Sequence, residues 1–302
     1  MSLINWEEAE KYTSWAMSKG EVGVKGDSWD EGADGWQRRI DFEREFTKAQ
    51  VDACTRINKD TTVLDACCGT GRTAIPFAKK AKHVYAVDGA PKMLEHCRRN
   101  AESEGLDNIT VQEIFNWHTL KPGEEIPLVD IAVSVIGPPQ ADILNFSKFA
   151  TKYCYFLSFT KDRYMLVMKE LFAGTSEPKI GENRGGAGRP GFSPPPAQGN
   201  TMVSSLLGSR ANPSNLDIQF NILYSHGALP EITYADGAWS HEAETREEIY
   251  DYLRTLGKVD ADKEEIFRAN CDKRITKTES GLYRYAYESQ MYVLGWDPNQ
   301  LR

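Results

Sequence analysis

The chain has 302 residues, of which 40% are apolar and 26% charged, and no apolar run approaches the roughly 18 residues of a membrane span. The formal net charge of −8 argues against nucleic acid as a partner, because phosphate binding depends on lysine and arginine. Six cysteines without paired spacing, and an N-terminus without a signal-peptide pattern, predict a reduced, cytoplasmic protein that does not contact membranes.

The first 160 residues divide into a helical part and an alternating part. Residues 5–19 and 36–57 have apolar residues at helical spacing, and the glycine-rich stretch between them predicts a loop. Beyond residue 57, short apolar strands alternate with helical segments, which predicts right-handed crossovers and a mostly parallel sheet. The predicted strands are 61–66, 83–88, 108–115, 129–136 and 153–159.

The pattern loosens after residue 160. Residues 181–200 contain six glycines and four prolines, a composition that predicts a loop or a mobile lid. Residues 231–235 and 282–296 predict strands, the latter antiparallel to the others, and a helix is predicted to end at Gly257. The predicted organisation is a helical cover (1–57), an α/β core (58–160), and a lid with C-terminal strands that complete the sheet (161–302).

A glycine turn joins the first two predicted strands. Gly69, Gly71 and Ala74 follow the pattern G-x-G-x-x-[GA], and Asp88 ends the second strand 19 residues after Gly69. This pattern is typical of turns that bind a dinucleotide or a nucleoside, with the acidic residue on the ribose. Asp65, at the end of the first strand, would repel a pyrophosphate and attract an ammonium or a sulfonium. S-adenosylmethionine carries both cations, a ribose and no phosphate.

Four segments resemble the motifs of the class I S-adenosylmethionine-dependent methyltransferases. They are VLDACCGTGR (63–72), with Cys67 where a glycine often stands, VYAVDGAPKML (84–94), EIFNWHTL (113–120) and VDIAVSVI (129–136). The resemblance implies an α/β, Rossmann-like, mostly parallel seven-stranded sheet with helices on both faces, and S-adenosylmethionine as cofactor. The cofactor-binding residues that it implies are Asp65, Cys67, Gly69, Thr70, Gly71, Arg72, Asp88, Gly89, Met93, Asn116, Trp117 and Ser134.

The resemblance implies methyl transfer, for which we expect a small-molecule acceptor. Tyr12, Trp15 and Trp36 are the expected acceptor-side residues, because the family's N-terminal helices line this pocket and aromatic rings supply contact area with few rotamers. His118 and His226 are candidate general bases. No metal site is expected, because the histidines and cysteines lack ligand spacing.

Two other functions stay open at this point. An NAD-type oxidoreductase could use the same glycine turn, although Asp65 argues against it, and a non-catalytic protein could keep the nucleoside pocket. The stretch GPPQ (137–140) has a partial likeness to a motif of amino-group methyltransferases. Gly137 and Gln140 depart from that motif, so a proline-rich turn after the fourth strand is the favoured interpretation.

Overall fold

The computed structural model describes residues 5–10, 27–114, 117, 120–160, 164–176 and 215–302. Within these residues eight strands form one sheet. They are β1 (Thr62–Ala66), β2 (His83–Asp88), β3 (Ile109–Glu113), β4 (Val129–Val135), β5 (Ala150–Phe159), β6 (Glu231–Ala243), β7 (Ile275–Lys277) and β8 (Tyr283–Trp296). The strand order is β3-β2-β1-β4-β5-β8-β6, and β7 pairs with β8.

Ten α-helices are described beside the sheet. They are α1 (Trp6–Glu10), α2 (Asp27–Arg38), α3 (Arg44–Ala53), α4 (Ala74–Lys80), α5 (Pro91–Ser103), α6 (Ile143–Ser147), α7 (Tyr164–Leu171), α8 (Asn215–Ser225), α9 (Arg246–Arg254) and α10 (Glu264–Asp272). One buried cluster packs against the face of α3 and α4, with Phe46, Phe77 and Trp239 in it. A second cluster packs on the other face and contains Phe146, Phe156 and Trp296.

The parallel half of the sheet brings three strand ends to one edge. Strand β1 pairs in parallel with β2 and with β4, so that Ala66 lies beside Val87 on one side and Ser134 on the other. Strands buried on both faces have near-continuous apolar sequences, which is why this half was readable from the sequence. The carboxyl ends of β1, β2 and β4 therefore form one ligand-facing edge.

The predicted fold class is confirmed, with a difference at the antiparallel end. Strands β1 to β5 are parallel to one another. Strand β8 pairs antiparallel with β5, and β6 and β7 pair antiparallel with β8, so the described sheet has eight strands instead of seven. The strand predicted at 231–235 continues to Ala243. Its apolar alternation breaks at Asp236 and Gly237, but the strand continues because all of it pairs with β8.

The loop predicted between the N-terminal helices is wrong in part, because residues 27–38 form α2. Gly32 and Gly35 lower the helix propensity of this segment. The helix forms because its side chains bond to α5, where Asp30 accepts from the Lys92 N–H and Gln37 pairs with Asn100. The predicted helix at 36–57 is divided into the end of α2 and α3.

Some expectations fall outside the described part of the chain. The predicted helix at 5–19 is described only over Trp6–Glu10, and the predicted lid at 181–200 lies outside the described residues. Across the residues that are described, no helix has both the length and the apolar character needed to cross a bilayer.

Candidate functional site

The turn after β1 is held in a left-handed backbone conformation. Cys67, Gly69 and Gly71 have φ angles of 65°, 56° and 87°. A side chain at Gly71 would place its Cβ 2.7 Å from the Cys97 sulfur, so glycine is required there for space as well as conformation. The Cys67 N–H donates to the Val87 carbonyl at 2.8 Å, which ties the turn to the end of β2.

Asp88 holds the glycine turn from the neighbouring strand. Its carboxylate accepts from the Gly69 N–H at 2.9 Å and from the Ala90 N–H at 3.0 Å. Burial raises the pKa of Asp88, and the backbone hydrogen bonds oppose that rise. Gly89 follows at the same edge. The carboxylate is thus a preorganised acceptor at the carboxyl end of β2.

Asp65 lies below the turn as a buried carboxylate. Its Oδ2 accepts a hydrogen bond of 2.8 Å from Thr73 Oγ1, at the start of α4. Burial raises the pKa of Asp65 from its ordinary 3.8 to about 6, although the Thr73 bond and Arg72 oppose the rise. In this structure Asp65 therefore braces the turn. Thr73 was not among the residues singled out in the sequence.

The end of β4 closes the site on its other side. Ser134 Oγ is fully buried and has no hydrogen-bond partner among the residues that the structure describes. A Cβ on Gly137 would lie 3.2 Å from this oxygen and 3.1 Å from Cys67 Cβ, so glycine allows the backbone after β4 to pack closely against both side chains. Ile136 has a φ of 52°, and Cys67 and Ile136 are the two non-glycine residues with positive φ in the described chain. Such strain collects at functional sites.

The GPPQ stretch forms the proline-rich turn that the sequence favoured. Residues Pro138–Ala141 make one short 3₁₀ turn directly after Gly137. The Gln140 amide nitrogen donates to the carbonyls of Ser134 and Leu157, at 3.1 and 3.0 Å. The turn thus joins the ends of β4 and β5 and holds Ser134 in place.

Arg72 leaves the turn in an unexpected direction. Its guanidinium donates to Gln50 Oε1 at 2.6 Å and Thr47 Oγ1 at 2.9 Å, and it pairs with Glu43 at 3.2 Å. These partners lie on or directly before α3. The side chain expected to bind cofactor therefore fastens the N-terminal cover to the glycine turn, and a lone arginine in the sequence carries no signal of its distant partners.

The remaining expected residues lie in different places. Thr70 and Met93 are buried at the same edge, Met93 beneath Ala33 of α2. Trp117 packs on Phe149, with ring centroids 4.8 Å apart, and its indole N–H has no partner within the described part of the chain. Trp36 lies exposed on α2. Four further residues, Tyr12, Trp15, Asn116 and His118, lie outside the described residues.

The structure does not bring His226 to this edge. Its ring bonds to Glu7 at 2.9 Å, and its carbonyl accepts from the Arg302 N–H. The neighbouring C-terminal segment bonds through Asn299 to Thr151, at the amino end of β5. Amino ends of parallel strands lie opposite the carboxyl edge, so His226 is remote from Ser134 and Asp88.

A cavity of about 540 Å³ lies beyond the carboxyl end of β5. It is bordered by Thr160 and by three carboxylates, Glu45, Asp236 and Glu288. Two of these are engaged, Glu45 with Arg284 and Asp236 with Gln290. In the described part of the chain, no three histidine, cysteine, aspartate or glutamate side chains are grouped to hold a metal. This cavity is separate from the glycine turn.

Comparison with known proteins identifies the segment that carries the turn. Residues 63–135 match a family model described as a methyltransferase domain. The match begins at β1, includes Asp65, both glycines and Asp88, and ends with β4. This match confirms the resemblance drawn from the four motifs. S-adenosylmethionine as the cofactor is confirmed at the level of this family, which removes the reason for an NAD-type interpretation.

Curated relatives share only part of the chain. One is an uncharacterised RNA methyltransferase of Oceanobacillus iheyensis, 33% identical over 104 residues, which are 34% of this chain and 21% of that protein. Another is a 23S rRNA (uracil(1939)-C(5))-methyltransferase of Shewanella sediminis, 39% identical over 54 residues, 18% of this chain and 12% of that protein. The chain thus spans about a fifth or less of the length of these relatives.

Solved structures match along more of the chain at low identity. A magnesium protoporphyrin IX methyltransferase from Synechocystis with bound S-adenosylhomocysteine is 15% identical, with a TM-score of 0.46, over 90% of this chain and 96% of that one. A precorrin-6y C5,15-methyltransferase from Geobacter metallireducens is 12% identical, with a TM-score of 0.43, over 82% and 86%. At such TM-scores the two likenesses add nothing on function.

The expectation, drawn from net charge, that nucleic acid is not a partner is wrong. The relatives that share this segment are named RNA methyltransferases. A net charge of −8 sums over 302 residues, whereas nucleic acid responds to the charges and aromatic rings of one surface.

Proposed function

We propose that this protein is an S-adenosylmethionine-dependent methyltransferase with RNA as its acceptor. The observation that carries the proposal is the geometry at the end of β2, where Asp88 bonds to the Gly69 N–H inside a segment that matches a methyltransferase domain. RNA is proposed because curated relatives of this segment are named RNA methyltransferases.

The residues at the carboxyl edge suit binding and alignment. Asp88 is proposed to accept hydrogen bonds from the ribose, and the left-handed turn at Gly69 and Gly71 lets the cofactor approach the backbone closely. When bound, S-adenosylmethionine supplies an electrophilic methyl group on a sulfonium. Strand β1 lies between β2 and β4, and neighbouring strands are about 4.8 Å apart. The ribose proposed at β2 is therefore two strand spacings from the end of β4. The end of β4, at Ser134, is therefore proposed as the acceptor side and not the ribose side.

The chemistry at this edge depends on position more than on acid–base groups. Methyl transfer removes the charge of the sulfonium, so a dry site that aligns the acceptor favours it. Ser134 Oγ is fully buried and has no hydrogen-bond partner among the described residues, and we propose that it hydrogen-bonds an acceptor atom. Burial raises the pKa of the Cys67 thiol, which keeps it neutral at this edge.

The proposal is tested by binding and by transfer. Titration calorimetry with S-adenosylhomocysteine should give saturable binding that weakens about tenfold or more in Asp88→Asn, since hydrogen bonds to charged groups contribute about 1.5–3 kcal/mol. Glu113→Gln, at the end of β3, is the matched control. Labelled methyl from S-adenosylmethionine should then appear in the RNA fraction of a cell extract.

Two outcomes of these measurements contradict parts of the proposal. Label confined to low-molecular-weight compounds would support a small-molecule acceptor and remove RNA. Absence of S-adenosylhomocysteine binding would remove the methyltransferase function as a whole.

A further inference from the structure

Strand β6 lies at one margin of the sheet, and its first part is open. Among the described strands it pairs only with β8. Residues 231–234 are all exposed, with Ile232 at 38% and Tyr234 at 57%. Further along, the outer side of the strand is in use, because the Ser240 N–H donates to the Phe42 carbonyl at 3.0 Å. We call residues 231–236 the open edge.

The backbone of the open edge presents hydrogen-bonding groups to its surroundings. The Thr160 N–H donates to the Gln290 carbonyl at 3.1 Å, so Gln290 bonds on the β5 side and not toward its β6 partner, Asp236. In an antiparallel ladder such residues alternate with residues that bond across the pair. The N–H and C=O groups of Ile232, Tyr234 and Asp236 therefore point away from β8. Within the described residues, no backbone group outside the sheet bonds to Ile232 or Tyr234.

The side chains of the open edge are apolar on one face. Ile232 lies beside Leu294 and Tyr234 beside Tyr292, and both partners belong to the second core cluster. The apolar face of the core thus continues to the margin of the sheet. Natural edges are usually protected by lysine, proline or a bulge. Residues 231–236 contain neither lysine nor proline, and their register with β8 is unbroken.

We propose that β6 pairs antiparallel with β6 of a second copy of the chain, about a twofold axis through Thr233. In this register each Ile232 lies opposite the partner subunit's Tyr234, and the two pairs form four backbone hydrogen bonds. Pairs of an aromatic and a β-branched residue are favourable between neighbouring strands. The pairing closes the open edge of both copies at once. This inference is independent of the proposed function.

The charges beside the axis are compatible with a second copy. Glu231 lies opposite Ala235, and Asp236 opposite Pro230, so the pairing places no like charges against each other. Glu231 is already paired with Arg56, at 3.6 Å. An axis one residue further along would place Asp236 against an aliphatic side chain. The open edge is therefore self-complementary in one register.

Light scattering over a concentration series tests for the dimer. A short pairing of this kind falls below the roughly 1,200 Å² of standard interfaces, so we expect a micromolar dissociation constant. The mass should rise with concentration from 34.0 kDa toward twice that value. Tyr234→Lys should weaken dimerisation about tenfold or more, because a lysine on an edge opposes pairing. Leu128→Lys, at a 52% exposed site before β4, is the matched control and should dimerise like wild type.

Charge exchange tests the register. The double variant Ile232→Glu with Tyr234→Lys places opposite charges across both pairs and should dimerise more strongly than Tyr234→Lys alone. Ile232→Lys with Tyr234→Lys places like charges there and should stay monomeric. Circular dichroism should show all of these variants folded, since the substituted side chains are at exposed positions.

A cross-link at the axis gives a second test. Thr233 faces its own copy in a pair without hydrogen bonds, where Cα atoms are about 4.5 Å apart, within the range of a disulfide. Oxidation of Thr233→Cys by diamide, which takes up the two thiol hydrogens, should give a covalent dimer on a non-reducing gel. Ile232→Cys lies two residues out of register with its own copy and should not. Wild type should stay uncrosslinked, because five of its six cysteines are buried.

Three results would overturn this pairing. They are a monomer at every concentration, a dimer that Tyr234→Lys leaves intact, and cross-linking through Ile232→Cys in preference to Thr233→Cys. S-adenosylhomocysteine binding should be the same in the monomeric variants, because the glycine turn lies at β1 and β2, with β4, β5 and β8 between it and β6. A protein that dimerises without binding S-adenosylhomocysteine would remove the proposed function and keep this inference.

Discussion

At the residue scale, two side chains occupy backbone conformations that disfavour them. Cys67 and Ile136, with φ angles of 65° and 52°, lie directly after β1 and β4, next to Gly137. A β-branched residue such as Ile136 is especially uncommon in this region. The strain is concentrated where the backbone must turn sharply around Ser134, which is the proposed acceptor position.

Replacement of Cys67 measures that strain. Relative to Cys67→Ala, which removes the thiol and keeps the Cβ, Cys67→Gly should be more stable by about 1 kcal/mol, because glycine adopts positive φ without a steric cost. Urea denaturation of the two variants gives the difference directly. Equal midpoints would mean that the turn relaxes when the thiol is lost.

The buried carboxylate of Asp65 makes stability depend on pH. Its folded pKa of about 6 exceeds its ordinary value of 3.8, so its contribution to stability is full below about pH 4 and is lost as the pH rises through 6. Asp65→Asn keeps the acceptor for Thr73 and cannot ionise. At pH 7.5 Asp65→Asn should therefore have a higher melting temperature than wild type, and a higher unfolding free energy by up to about 2–3 kcal/mol. At pH 4 the two proteins should be equally stable.

Thermal melts across this pH range provide the check on Asp65. Asp60→Asn, on the exposed surface before β1, is the control whose melting difference should not change with pH. A wild-type melting temperature that rises steadily from pH 4 to pH 7.5 relative to Asp65→Asn would contradict the assignment.

At the scale of elements, the cover is joined to the core by one buried charged cluster. Glu43, directly before α3, accepts from Arg39, and its other oxygen pairs with Arg72 of the glycine turn. Burial disfavours the ionised form of Glu43, but the two arginines lower its pKa. The cluster thus couples helices α2 and α3 to the turn that carries Gly69 and Gly71.

Removal of the shared carboxylate should uncouple these elements. Glu43→Gln leaves two guanidinium groups facing each other and should cost about 3 kcal/mol of unfolding free energy. The double variant with Arg72→Met should lose less than the sum of the single losses, because the two side chains share the interaction. Glu45→Gln on α3, whose side chain is 43% exposed, is the control and should cost at most about 1 kcal/mol.

Chemical denaturation of wild type, Glu43→Gln, Arg72→Met and the double variant gives the coupling energy between Glu43 and Arg72. Additive losses would show that the pair is not a unit.

At the scale of the whole molecule, the sheet joins the parts on either side of residue 160. Strand β8 pairs with β5 from Cys154 with Trp296 to Phe159 with Met291, and buried residues of both halves share the two core clusters. The boundary predicted at 160 therefore falls between neighbouring elements of one sheet, and the predicted three-part division remains a prediction.

A truncation at Thr160 tests how far the halves depend on each other. Residues 1–160 should fail to form a stable monomer, because the edge of β5 and the apolar surfaces that β8 covers would be exposed. Circular dichroism and light scattering would detect the unfolding or aggregation. For the intact chain, melts followed by circular dichroism and by tryptophan fluorescence should coincide. A folded, soluble fragment would contradict this view.

The parts of the site that were predictable are local in sequence. The unit from β1 through the glycine turn to Asp88 spans residues 62–88, and its period, glycine spacing and terminal carboxylate are all visible there. Helix α2 was missed because Gly32 and Gly35 oppose helix formation, and the bonds to α5 that overcome this are not visible in the segment.

The sequence by itself determined the class of fold, the turn and the carboxylate at its far end, because each depends on residues close together in the chain. Only the tertiary structure decided that Arg72 turns to α3, that Ser134 Oγ is buried with no partner in the described residues, and that β6 continues past Gly237. A Cβ at Gly237 would lie 2.7 Å from the ring of Phe46, a residue of α3 far away in sequence. Such contacts depend on how distant elements pack, and short-range periodicity carries no information about that packing.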